Sequence, residues 1–91
     1  MKTQKEITKQ IKALKAIRPK VRPRSAFGTD NIAQLDAQVD VLENDLDNNE
    51  IYEKYDHSGI DEETLMGALD ARQWMEGESD IENLAEGWPL N

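Results

Sequence analysis

Asp36, Asp40, Glu43 and Asp47 recur at spacings of four, three and four within DNIAQLDAQVDVLENDLDN, the stretch from Asp30 to Asn48. On a helix such positions climb a single face, so the four carboxylates make a stripe with Asp45 and Glu50 at its edge. Members four apart stand roughly 6 Å from each other along the axis. That is on the order of the charge spacing of a nucleic-acid strand, about 3.4 Å of axial rise plus lateral displacement. No Lys or Arg interrupts the stretch. A stripe of this kind suits electrostatic docking in the basic groove of a DNA- or RNA-binding protein, or the solvation of an outer face.

The remaining chemistry-bearing residues lead mainly to exclusions. Asp56-His57-Ser58 carries the residue types of a hydrolase triad, but three adjacent residues cannot converge on one substrate atom. A calcium loop counted from Gly59 as its sixth position puts Lys54 first, where a carboxylate is required. One His and no Cys leave no zinc ligand set, and the five glycines are scattered singly instead of forming a phosphate loop. No enzymatic activity, metal or cofactor is expected, because no convergent polar set is visible.

A rival surface lies at the other end of the chain. Residues 1–24 hold nine of the eleven cations and one acid, a net of +8, whereas residues 25–91 carry a net of −16. Lys5, Lys9, Lys12, Arg18, Lys20, Arg22 and Arg24 would neutralise several phosphates, giving salt-sensitive, sequence-tolerant nucleic-acid binding. No aromatic is interleaved with them, so base stacking is not suggested. The same cations would equally pair with the acidic helices of this chain or of a second copy. Trp74 and Trp88 are candidate interface anchors, Trp being enriched at binding hot spots, though in a small protein Trp more often belongs to the core.

The elements that must position these groups read as helices. Thr3 and Glu6 spell a capping box, followed by an apolar line of Ile7, Ile11 and Leu14 with Lys5, Lys9 and Lys12 opposite. Pro19 ends that helix, and the run from Arg18 to Arg24 is expected to be an extended basic arm with nothing to form a core. Thr29 or Asp30 caps the central helix, with Phe27 placed to pack against its start. That helix has a narrow seam of Ile32, Leu35, Val39, Leu42 and Leu46, fraying near Asp47. A short helix through Ile51, Tyr52 and Tyr55 follows. The next begins at Asp61, points Leu65, Ala68, Leu69 and Met75 inward, and stops at Gly77. Ser79 with Glu82 offers a cap for one last turn, and the tail is expected to fold back over Trp74.

These readings give an all-α fold, a small bundle of three to four helices with a short C-terminal helical turn. They make one domain over residues 1–91: a basic helix and arm (1–24), an acidic helical core (25–78) and a returning tail (79–91). No apolar run approaches the ~18 residues of a membrane span. The absence of Cys fits a reducing, cytoplasmic setting. The expected partner is a protein with a basic surface; nucleic acid through the N-terminal segment, and homodimerisation through the heptad-like seam, are the alternatives.

The stretches AFGTDN, LDAQVDVLE, ALDARQWMEGESD and EGWPL resemble a group of uncharacterised short proteins carried by bacterial phages and prophages. No activity is assigned to that group, so no functional residue carries over. The resemblance implies a setting in which small acidic proteins inhibit host machinery, as anti-CRISPR and anti-restriction proteins do, some by acting as DNA mimics.

Overall fold

The computed structural model describes residues 1–91. Four helices follow in order: α1 (Gln4–Ile17), α2 (Asn31–Asn44), α3 (Asn48–Tyr55) and α4 (Glu62–Glu76), with a 3-10 turn at Arg18–Lys20 after α1. There is no strand, only two isolated antiparallel bridges, Val21–Leu90 and Arg24–Asp30. The chain is an all-α bundle.

Local chemistry sets the helix starts. The Thr3–Glu6 capping box forms in both directions at α1, and Asp30 accepts from the Ala33 amide at α2. Asp61 occupies the N-cap position of α4 without a side-chain cap bond; its carboxylate turns instead to the Asp30 amide, at 3.5 Å. Gly77 closes α4 at φ 78°, the left-handed geometry that glycine adopts without penalty.

The central helix is three residues shorter than its apolar spacing suggests. Asp45 sits at φ 50°, ψ 48°, and the Leu46 amide closes back on the Val41 carbonyl at 3.3 Å. Asp47 then opens α3, accepting from the Glu50 amide at 2.8 Å while Glu50 accepts from the Asp47 amide at 3.3 Å. Two local programmes compete for Leu46 and Asp47, and the new capping box wins.

α2 is enclosed rather than seamed. Leu35, Val39 and Leu42 are buried, but so are Ala37, Val41, Asn31 and Gln38, because α4, α1 and the tail each take a side of it. Lys15 meets Glu43 and Arg18 meets Asp36, so α1 runs antiparallel to α2. Gly67 lies against Gln34 and Arg72 against Asp45, so α4 runs parallel to it, with α3 as the return. Leu14, Ile51, Ala68, Met75 and Leu84 complete the core.

Two expectations about the flanking segments are corrected. The basic arm is not a free linker: Val21 is 2% exposed, and the Arg22 amide donates to Pro89 O at 2.8 Å while the Asn91 amide donates to Lys20 O at 2.9 Å. The returning tail supplies backbone partners that no feature of the arm itself announces. Phe27, expected to pack on the start of α2, is 98% exposed at the tip of the turn before it.

The tail crosses α4 and α1 as irregular chain. Trp74 donates its indole N–H to Glu82 O at 3.1 Å, and Gln10 donates to Asn83 Oδ1 at 2.8 Å. The final turn expected from Ser79 and Glu82 through Ile81 and Leu84 does not form. Ser79 Oγ accepts from the Ile81 amide instead, and a single turn follows at 84–87, where Asn83 Oδ1 accepts from the Ala85 amide.

Candidate functional site

The six residues of the expected acidic stripe each have an internal partner. Arg18 forks onto Asp36, Nε donating to Oδ1 at 2.8 Å and Nη2 to Oδ2 at 3.0 Å. Lys15 lies 3.3 Å from Glu43, both exposed. Asp40, with its side chain 18% exposed, receives Tyr55 Oη at 2.6 Å and Lys54 Nζ at 2.7 Å, and Asn44 Nδ2 at 2.8 Å. Asp45 pairs with Arg72 Nη1 at 2.8 Å, and Asp47 and Glu50 cap α3. The stripe as a bare carboxylate row on one helix is therefore corrected. α2 ends before Asp47, and three neighbouring elements bring cations onto the three acids that remain on it.

The ion pairs differ in weight. Those of Lys15 and Arg18 are surface pairs, screened by water and of little weight for stability. Arg72 is better enclosed, its side chain 13% exposed; it joins α4 to the α2–α3 junction through Asp45 and the Leu46 carbonyl at 3.4 Å, and is held within α4 by Glu76 at 2.8 Å. Asp40 is the most elaborate. Burial alone would push its carboxyl up, but the hydrogen bonds from Lys54 and Tyr55 outweigh it and hold the group below the usual range. Tyr55 moves in the opposite direction, raised first by burial and then by donating to Asp40.

This pair has a pH signature. A carboxyl depressed in the fold adds stability that is present above its unfolded value, about 3.9, and is lost as pH falls through the folded one. The raised Tyr55 adds stability present below about 10 that is lost as pH rises further. Asp40→Asn is expected to cost about 1 kcal/mol at pH 7 and to flatten the decline below pH ~4, read by urea unfolding across pH 3–7.

What stays unpaired lies elsewhere. Glu53 and Asp56 at the end of α3, with Asp61, Glu62 and Glu63 at the start of α4, are exposed and form no ion pair with any cation of the chain. They surround the α3–α4 turn, where a cavity of about 510 Å³ is lined by Arg24, Asp30, Tyr55, Ile60, Asp61 and Thr64 among others. On the opposite sign, Lys5, Lys9 and Lys12 stand exposed on α1 without ion pairs, as do Lys20 and Arg22. Arg24 is tied to its own turn, donating to Gly28 O at 3.0 Å.

The Trp residues are corrected as anchors. Trp74 is 3% exposed, with the Lys2 ammonium 5.2 Å from its ring centroid, and Trp88 is half-buried against the core. The most exposed aromatic is Phe27, which the sequence disguised as a helix staple, with Tyr52 exposed to a lesser degree. No helix is long and apolar enough to cross a membrane. Comparison of the chain with protein-family models, curated proteins and solved structures returns no match.

Proposed function

We propose that this chain is a non-enzymatic interaction protein that presents an acidic corner to a basic surface on a protein that handles nucleic acid. The observation that supports this reading is the unpaired set Glu53, Asp56, Asp61, Glu62 and Glu63 around the α3–α4 turn. Lys15, Arg18, Lys54 and Arg72 are each engaged by acids of α2, its C-terminal end or α4, and none reaches this corner. The other exposed acids with neither an ion pair nor a capping bond, Glu78, Asp80, Glu82 and Glu86, are strung along the irregular tail. Within a chain of net charge −8, such a corner attracts and orients a cationic surface. The likeness to short phage and prophage proteins favours a host-directed inhibitor of the anti-CRISPR or anti-restriction type, acting in the place of nucleic acid.

Affinity capture from a bacterial host lysate tests it. Wild-type chain and the Asp36→Asn variant should retain the same partner, while the triple variant Glu53→Lys, Glu62→Lys, Glu63→Lys should lose it at least tenfold with helicity unchanged. Undiminished capture by the triple variant would overturn the proposal. The second reading, nucleic-acid binding through α1, draws on the unpaired Lys5, Lys9 and Lys12; affinity for duplex DNA that fades as salt rises would favour it instead.

A further inference from the structure

Phe27 stands at the tip of a turn that holds it in place. Ser25 Oγ accepts from the Phe27 amide at 3.2 Å and from the Thr29 amide at 3.0 Å, and the Ser25 amide donates to Thr29 O at 3.0 Å. Gly28 takes φ 86° and donates to Ser25 O at 3.0 Å, while Arg24 Nη1 braces the Gly28 carbonyl from the side. A fully bare phenyl ring on an ordered turn has already met the ordering cost that binding usually adds. It is also the most exposed large apolar side chain of the protein.

The cavity beside the α3–α4 turn is the complementary shape. Its volume of about 510 Å³ exceeds that of a phenyl ring, and it is an open depression whose apolar wall is rimmed by Arg24, Asp30, Asp36 and Asp61. Ala33, Ala37 and Ile60 give it apolar wall, and Arg24 and Asp30 line it too. Those last two residues are also the bridge at the base of the Phe27 turn. Knob and hole therefore share an edge, which is what an isologous two-fold contact requires: the same patch must carry both halves.

From this we infer that two copies of the chain associate by exchanging Phe27, each ring entering the other copy's cavity beside Ile60. The charges agree in sign. Arg24, at the base of the knob, also lines the hole, where Asp30, Asp36 and Asp61 outnumber it, so a two-fold axis beside the Arg24–Asp30 bridge sets Arg24 of each copy against aspartates of the other. Glu53, Glu62 and Glu63 are not part of the cavity lining, so the dimer leaves an acidic corner on each copy. The dimer draws on Asp61, which the corner proposed above also uses, and on none of Glu53, Glu62 and Glu63.

Sedimentation velocity of the full chain from about 10 μM to about 1 mM tests it. The wild type should form a dimer across this range, and Phe27→Ala should weaken association at least tenfold with an unchanged circular dichroism spectrum. Ala33→Phe, which fills the hole, should do the same, and mixing the two variants should restore association through the one intact knob and hole. A wild type that stays monomeric at about 1 mM, or a Phe27→Ala chain that dimerises as tightly as the wild type, would overturn the inference. Because Phe27 touches so little of its own fold, its removal separates the two outcomes even if the Ala33 variant fails to fold.

Discussion

Gly67→Leu is expected to cost about 3 kcal/mol or more, and to remove a large part of the stability of a chain this size, about 5–13 kcal/mol. A β-carbon at Gly67 would stand 2.5 Å from Gln34 Cγ and 3.2 Å from its Nε2, nearer than packed atoms approach. Gln34 lies on α2 and Gly67 on α4, so the missing side chain is what lets the two parallel helices close. Alanine would recover about 1 kcal/mol of helix propensity against a comparable packing cost, but leucine has no room. Urea unfolding followed at far-ultraviolet wavelengths reads the change. A midpoint equal to the wild type's would mean that the helices do not meet at this residue.

Trp74→Ala should cost about 3–5 kcal/mol, the range for truncating a large buried aromatic. Its ring is a common seat for two otherwise separate ends of the chain. Glu82 O takes the indole proton, Lys2 lies over the ring, and the Lys2 amide donates to the neighbouring Met75 O at 2.7 Å. Trp74→Phe should cost much less than Trp74→Ala, keeping most of the packing while losing the hydrogen bond. Trp88, retained in both variants, supplies the fluorescence by which thermal unfolding is followed. An alanine variant melting within a degree or two of the wild type would show that the tail is not seated on this ring.

The helices were legible because their signals are local. Thr3 with Glu6, Asp30 before an apolar periodicity, and Gly77 after one each act within four residues of themselves. The end of α2 was not, because Asp45 is neither Gly nor Pro and tolerates the left-handed geometry only in company with the α3 cap that follows it. The fate of the acidic stripe was illegible for a different reason. Spacing along one helix says which carboxylates share a face, but not that Lys15 and Arg18, three apart on another helix, will lie across it. Lys54 and Arg72, the only cations after residue 24, were the overlooked clue, since each of them is engaged by an acid near the end of α2. Val21 and Phe27 exchanged their expected roles because burial there is decided by the tail, which approaches the arm and leaves the turn bare.

The clasp between the arm and the tail is held by two backbone hydrogen bonds, Arg22 to Pro89 and Asn91 to Lys20, around one buried valine. It closes a loop of some seventy residues and stands outside the four helices, yet its valine belongs to the same core as theirs. The clasp, together with the Asn31 side chain and amide that bond Arg22 O and Pro23 O, fixes the backbone of the arm while Lys20 and Arg22 keep their side chains exposed. The positive charge of the arm is thus carried on an anchored frame, with its side chains turned outward by the same contacts that bury Val21.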